Sequence, residues 1–594
     1  GCTYGVKDAD IKYIYNGLND CKAAALLSGG MKFCSIGCLG LGSCVSACQF
    51  GALSMGPNGL PVVDEKRCTG CGACERACPK GIINLLSVTR RILREYTTAM
   101  CTTPCQRACP AGIDICEYIK QVNQGDYHKA VQVIKERLPF PSVIGRICPR
   151  FCEDECRRKY IDEPVAINSL KRFVADFERK NGERVLPYKA PETDHKVAVI
   201  GGGVEGLSTA FFTARLGHQV TVFEATDVLG GLLRSAIHKQ RLSMDILDWD
   251  IDGVLEMGVK AETNKRLGKD FSVASLLGDG YESVFIASGG WDSRLATGSV
   301  SAADEAIPGV SLLLDVIKSD RDSNGEFSCK TDIVIAGGAE LAFEAAKICR
   351  KRGAEKINVL FRKTREACTI NAAELEKIEK EGIKIIFNAG ISGISGEEDN
   401  LLELEYTELN SMKKKIIPAQ NLIVSSGRLP ELIFVDAEAD ADKEDGTKTK
   451  AGLPIKWKGI EPYKLSADKH STGIFSDVDV LTDYSAAIKA IAAGRRSAAS
   501  IHQILYGIQV TVPENIVTPH SLIQNVNYIE GVKTVPRTIM PLSVILNPEV
   551  SEELEKGFTE DMARKEAARC LQCGLICYKK TANETAFAEL DKAA

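Results

Sequence analysis

The 594-residue chain carries 74 Lys and Arg against 79 Asp and Glu, a net charge of −5, and is 44% apolar. That length calls for several domains rather than one, and a mildly acidic balance with no long basic run excludes nucleic acid as the main partner. No stretch approaches the ~18–20 uncharged apolar residues of a membrane helix, so we expect no membrane span in this chain and a cytoplasmic location. The first residue is Gly rather than Met, from which we expect an N-terminal piece to be missing.

Cysteine is the strongest compositional signal. Of 23, ten fall between Cys2 and Cys78, seven between Cys101 and Cys156 and three at Cys570, Cys573 and Cys577, while Cys329, Cys349 and Cys368 stand alone. Close-spaced groups in a long chain with dinucleotide-type segments read as metal sites, not as a disulfide scaffold.

Residues 1–90 hold the first group. Cys68, Cys71, Cys74 and Cys78 follow C-x2-C-x2-C-x3-C with Pro79 next, the spacing in which three thiolates wrap one cubane and the fourth ligates its neighbour. Zinc is the competing reading, and the Pro and a second cysteine set argue against it. That set, Cys34, Cys38, Cys44 and Cys48, is stretched to C-x3-C-x5-C-x3-C, and residues 44–53 echo residues 74–83 as in a duplicated ferredoxin. Exchange of fourth ligands puts one cluster on Cys34, Cys38, Cys44 and Cys78, and the other on Cys68, Cys71, Cys74 and Cys48. The run DCKAAALLSGGMKFCSIGCLGLGSC with NGLPVVDEKRCTGCGACERACPKGI resembles the ferredoxin part of the B subunit of Rnf complexes, with Gln49 where a ferredoxin has Pro. Cys2 and Cys21 are left either to a further site or as plain thiols.

Residues 91–190 show helical patterns over 117–122 and 127–138, then a polar linker near 181–195. TTPCQRACPAGIDICEYI (102–119), GRICPRFCEDEC (145–156) and EAARCLQCG (566–574) resemble the helical iron–sulfur domain of the glutamate synthase small subunit and of dihydropyrimidine dehydrogenase. An Arg-Cys-x-x-Cys that precedes the first segment in those families lies here at the far C-terminus, so the tail is expected to fold back. The resemblance implies one cluster on Cys105, Cys156, Cys570 and Cys573 and another on Cys109, Cys148 and Cys152. Lys171 falls where relatives place a Gln or Glu ligand, which leaves Cys101, Cys116 and Cys577 as spare candidates.

Residues 191–330 open with a β run, Val197 to Ile200, then Gly201, Gly203 and Gly206, a small-residue helix and a second β run ending at Glu224. The glycines permit a tight turn and close approach to a pyrophosphate at a helix N-terminus. A carboxylate at Glu224 suits ribose hydroxyls and repels a 2′-phosphate. Gly230, Gly231, Leu232 and Arg234 follow as in the same flavoprotein family, and in residues 431–510 Asp479 matches the family's flavin-contacting Asp, with Val478 in place of a Gly. We expect FAD here.

Residues 331–430 carry a second β-loop-α-β unit with Gly337 and Gly338 in its turn. Its second β run ends in Arg362, Lys363 and Arg365, which suit a 2′-phosphate. Ala339 and Glu340 oppose a pyrophosphate, so NADP(H), the favoured ligand, stays beside NAD(H) and a packing relic as readings. Residues 511–594 form a tail that delivers the last cysteines.

The fold class expected is α/β: two Rossmann-like domains arranged as in glutathione reductase, preceded by a ferredoxin-like and a helical iron–sulfur domain. The whole resembles the glutamate synthase small subunit and the NADPH-binding subunit of Nfn transhydrogenases, with an Rnf-B-like ferredoxin in front. This implies an anaerobe's transhydrogenase subunit, of the Sporomusa-type (Stn) electron-bifurcating kind. Four [4Fe-4S] clusters, FAD and NADP(H) are the implied cofactors and substrate; other subunits of a redox complex, with ferredoxin as a candidate, are the partners. An electron-input subunit for a glutamate synthase-like reductase and a wiring scaffold with a dead nucleotide site are the alternatives. Hydride and electron transfer need no nucleophile–base set, and no catalytic side chain is named.

Overall fold

The computed structural model describes residues 10–34, 37–64, 67–83, 88–97, 103–288, 307–321, 327, 329–337, 340–367, 370–424, 431–435, 454–460, 485–507, 521–523, 529, 531–543, 553–573 and 577–579. The chain divides into two compact units: residues 1–97 with 188–193 and 215–217, and the remainder.

In the first unit, α1 (Cys21–Leu26) starts behind Asp20, whose carboxylate accepts the Ala23 amide at 2.8 Å. Two short helices, α2 (Ser43–Ser46) and α3 (Ala73–Ala77), each follow a glycine in the left-handed region, Gly42 at φ 75° and Gly72 at φ 77°. Glycine takes that turn without a Cβ penalty, and its recurrence is the structural form of the pseudo-repeat. β1 (Leu53–Met55) pairs antiparallel with β2 (Pro61–Val63), and α4 (Val88–Thr97) closes the segment. Cys44, Leu53 and Cys74 form a small core on which Val45, Cys48 and Ile83 pack. So little buried apolar surface makes such a fold lean on whatever its thiols bind.

The second unit begins with helices. α5 (Pro104–Ala108) leads to α6 (Ile115–Gln124) and α7 (Tyr127–Lys135), capped by Asp114 and Asp126, which accept the Glu117 and Lys129 amides at 3.1 and 2.9 Å. α8 (Pro141–Ile147), α9 (Phe151–Asp154), a 3-10 turn (Arg157–Tyr160) and α10 (Ile167–Asn181) follow. Gly182 ends α10 in the left-handed region, and residues 183–195 run without regular structure, as the polar linker composition predicts. The helix Glu560–Ala567 packs on α6 and α10, so the tail does fold back.

A nine-stranded sheet has the order β13-β12-β11-β16-β15-β6-β3-β4-β5. Here β3 is Lys196–Ile200, β4 Gln219–Phe223, β5 Val259–Glu262, β6 Ser283–Ile286, β11 Ala389–Glu397, β12 Asn400–Glu408, β13 Lys414–Pro418, β15 Leu432–Val435 and β16 Lys456–Ile460. β3 to β6 are parallel, and antiparallel strands extend the sheet from β6. A five-stranded sheet, wholly parallel, has the order β10-β9-β8-β14-β7, with β7 Val310–Leu312, β8 Asp332–Ala336, β9 Lys356–Leu360, β10 Ile383–Ile386 and β14 Asn421–Val424. The domain limits expected at 330/331 and 430/431 therefore differ from the sheets. β7 belongs with the second nucleotide unit because it pairs along β14, whereas β11 to β13 leave that unit to extend the first sheet through β16.

Candidate functional site

Four pockets collect the cysteines. In the first unit one is lined by Cys48, Cys68, Cys71 and Cys74 with Phe50, Leu53 and Val63. The other is lined by Cys21, Cys38, Cys44 and Cys78 with Leu39, Ile82 and Ile83. The exchange of Cys48 and Cys78 between the sets is as the spacing implies. Cys34 does not line the second of these pockets, is exposed, and is replaced there by Cys21.

In the second unit Cys109, Cys148, Cys152 and Lys171 line a third pocket with Tyr118, Ile113 and Ile488. Lys171, only 5% exposed, lines this pocket beside the three thiols. Cys105, Cys156, Cys570 and Cys573 line the fourth pocket together with Cys116, a fifth thiol. Cys101 lies outside the described residues, and Cys577 sits on a short strand paired with Ser521–Ile523.

All the cysteines of the four pockets are free thiols. Burial pushes Cys109 up and Cys152 well up, and Cys116, despite the lowering bond from Cys105, is raised to about 12 by its neighbour Cys570 and by burial. Thiolates in such places need a cationic partner. Among the described residues, no three Cys, His, Asp or Glu side chains are close enough to hold a single metal ion. The thiols surround their pockets, an arrangement that suits a cubane better than zinc.

The tail reaches the fourth pocket through a polar clamp. Arg569, 2% exposed, donates to Asp162 Oδ1 at 2.9 Å, to Glu566 Oε1 at 2.6 Å and to the carbonyls of Glu163 and Val535 at 2.7 and 2.9 Å. Arg158 donates to the Arg569 carbonyl at 3.1 Å and to Asp162 Oδ2 at 2.7 Å. Tyr127 donates to Glu560 at 2.8 Å, and Gln572, at φ 48°, donates to the Cys116 carbonyl at 3.2 Å. Glu553 and Glu555 add ion pairs to Arg146, Arg172 and Arg150. This clamp has no signature in the sequence because its partners lie about four hundred residues apart.

At the first dinucleotide loop, Gly201 has φ 109°, and a Cβ there would meet the Ala287 carbonyl at 2.3 Å; one on Gly206 would lie 1.9 Å from the Gly201 oxygen. A Cβ built on Gly203 would meet nothing within 4 Å, so the space beside this position is open, as the backbone approach to a pyrophosphate needs. Gly230 donates to the Gly202 carbonyl at 2.8 Å, and Gly231 packs against Gly203. Glu224 accepts the Gly202 amide at 2.6 Å and the Thr226 amide at 2.8 Å. Leu232 opens α12 (Leu232–Ser235), while Arg234 pairs with Asp248 and donates to the Leu229 carbonyl at 2.7 Å, so it braces the loop from behind. Asp479 and Val478 lie outside the described residues.

At the second loop, Gly337 has φ 74° and donates to the Leu360 carbonyl at 2.9 Å; Gly338 and Ala339 are outside the described residues. Arg362 and Lys363 are exposed just past β9, and among the described residues neither makes an ion pair, whereas Arg365 is held by Glu379 at 3.0 Å. Two cations are thus open to an anionic ligand at the end of the strand.

The small-residue helix expected within residues 471–505 is present as Ser485–Leu505 and links the parts of the second unit. The helix Ser485–Leu505 crosses α11 (Val204–Arg215) at Gly494, where a Cβ would stand 2.8 Å from both Ser208 Cβ and the Thr209 amide. The same helix places Ile488 in the third pocket, and its Arg495 donates to the Ala111 carbonyl at 2.6 Å.

Family comparisons agree with this geometry. Residues 34–82 match a 4Fe-4S dicluster domain, and residues 94–183 the 4Fe-4S domain II of dihydropyrimidine dehydrogenase. Residues 199–250 match an NAD(P)-binding Rossmann-like domain, and residues 278–460 a pyridine nucleotide-disulphide oxidoreductase. The NADP(+)-dependent formate dehydrogenase subunit beta of Moorella thermoacetica is 30% identical over 521 residues, 80% of this chain and 70% of that one. The chain belongs to this family. Within the family, the NADPH-Fe(3+) oxidoreductase subunit beta of Geobacter sulfurreducens is 25% identical, covering 80% of this chain and 75% of that one. The NAD-dependent dihydropyrimidine dehydrogenase subunit PreT of Salmonella typhimurium is 26% identical, covering 68% of this chain and 91% of that one. Like its relatives, this beta-type chain is an iron–sulfur, pyridine-nucleotide-linked oxidoreductase subunit that transfers electrons within a multi-subunit complex. Among the described residues no helix is long and apolar enough to cross a membrane.

Proposed function

We propose that this chain is the NADP(H)-handling subunit of its complex, with FAD on the β3–α11 unit, NADP(H) on the β8–β9 unit and four [4Fe-4S] clusters on the four cysteine pockets. When bound, FAD would exchange a hydride with the nicotinamide and single electrons with the clusters. The chain's own residues supply position. Gly201, Gly203 and Gly206 open the phosphate approach, and Arg362 and Lys363 offer charge to a 2′-phosphate.

The helix Ser485–Leu505 carries this reading. It rests on the flavin-type unit at Gly494 and lines the third cysteine pocket at Ile488, so one rigid element joins the two sites. The relatives' names differ in what they act on at the far end, formate, Fe(3+) or dihydropyrimidine, and share a nicotinamide nucleotide. We therefore assign this chain the nucleotide end and leave the second substrate to a partner subunit. A transhydrogenase or ferredoxin–NADP(H) oxidoreductase complex is the narrower form, favoured by the additional dicluster unit at residues 34–82. Anaerobically purified full-length chain should release FAD on heating and contain about sixteen iron and sixteen sulfide per chain, four of each per cubane. Release of FMN, or a count near eight, would overturn the assignment.

A further inference from the structure

We infer that Cys21, and not Cys34, is the fourth thiolate of the cluster held by Cys38, Cys44 and Cys78. The inference rests on reading this pocket as a cubane site. Spacing within the cysteine run favours Cys34, since it stands four residues before Cys38. The fold selects differently. Cys21 lines the pocket with Cys38, Cys44 and Cys78, while Cys34 lies outside it with its side chain in solvent.

A specific device holds Cys21 there. Its backbone amide donates to Ser43 Oγ at 2.6 Å, and Ser43 Oγ donates onward to Asp20 Oδ2 at 3.2 Å. The other Asp20 oxygen caps α1 through the Ala23 amide. Ser43 directly precedes Cys44, so one hydroxyl ties the backbone of Cys21 to the helix that carries Cys44. Asp20 fixes the hydroxyl's orientation and the start of the helix together. Among the described residues no comparable tether draws Cys34 toward the pocket; its carbonyl accepts the Gly37 amide at 3.2 Å within its own turn. Because the tether uses the backbone N–H of residue 21, Cys21→Ala keeps it and removes only the thiol.

Cysteine alkylation of the native, cluster-loaded full chain under anaerobic conditions tests this without a variant. Iodoacetamide, read by peptide mass spectrometry, should label Cys34 and spare Cys21, Cys38, Cys44 and Cys78. After oxidative removal of the clusters with ferricyanide and EDTA, all five should label. Labelling of Cys21 with protection of Cys34 in the loaded protein would overturn the inference, as would protection of both. If the pocket held no cluster, Cys38, Cys44 and Cys78 would label alongside Cys21, which separates failure of the cluster reading from failure of the ligand choice; that outcome overturns both. As a second arm, Cys21→Ala should lose iron or leave an oxidised three-iron EPR signal, with Cys34→Ala retaining the full count. Iron loss in Cys34→Ala would contradict it.

Discussion

Arg569 Nη2 stands 2.9 Å from Asp162 Oδ1, and through this contact the segment just after the helix Glu560–Ala567 is fixed to a loop about four hundred residues earlier. Arg569 and Glu566 are almost fully buried, and Arg158 shares Asp162. Breaking a buried pair by removing one partner costs about 3–5 kcal/mol, because the remaining charge is left without compensation. Arg569→Ala should therefore destabilise the helical domain by that order in chemical denaturation. It should also lower the iron content by about four, one cubane. Retention of all iron would show that Cys570 and Cys573 reach their pocket without the clamp.

Asp250, on α13 (Met244–Glu256), accepts the Val143 amide at 2.9 Å at the start of α8, while its other oxygen is buried without a partner. Burial raises its carboxyl from 3.8 to about 7, against the lowering effects of the Val143 amide and Lys135. The folded state thus keeps a proton that the unfolded chain releases. The contribution of this group to stability should be greatest below pH ~4, fall by up to ~1.4 kcal/mol per pH unit toward pH ~7, and level off above it. Asp250→Asn should flatten this part of the curve of melting temperature against pH. An unchanged slope would assign the dependence to other groups.

Lys171 lines the pocket that holds Cys109, Cys148 and Cys152, with no fourth cysteine among its lining residues. An ammonium has three donors and no lone pair for iron. The cluster there should give up one iron to EDTA and show a three-iron EPR signal when oxidised. Lys171→Glu supplies a carboxylate ligand and should abolish the signal. A site as resistant to chelation as the others would contradict this.

Arg362 and Lys363 set the expected nucleotide choice. Replacing both by Ala should weaken NADPH binding by about ten- to a hundredfold, from charge-assisted bonds of roughly 1.5–3 kcal/mol each reduced by solvent. NADH binding should change little. Isothermal titration of the FAD-loaded protein decides; equal losses for both nucleotides would remove the 2′-phosphate role.

The spacing of Cys68, Cys71 and Cys74 made most of one pocket legible from sequence, because three thiols so close on one loop converge locally, while Cys78 is carried by the turn to the other pocket. The strand, glycines and Glu224 of the first nucleotide loop were legible for the same reason. Cys21 was not: its route to Cys44 runs through Ser43 and the fold of the loop between them, which no spacing encodes. The limits of the two sheets were also hidden, since β7 pairs with β14 across more than a hundred residues and β11 to β13 join the other sheet. Ile488 lines a cysteine pocket from a helix whose apolar pattern reads only as a packed face.

In the proposed function, one chain takes electrons from a nicotinamide nucleotide and passes them to its own clusters. Anaerobic titration of the purified, fully loaded chain with NADPH, followed by visible absorption and low-temperature EPR, tests it most directly. The account predicts bleaching of the flavin bands together with the appearance of reduced-cluster signals, at lower nucleotide concentration for NADPH than for NADH. A flavin that stays oxidised at saturating NADPH, or one that bleaches while every cluster stays oxidised, would contradict it.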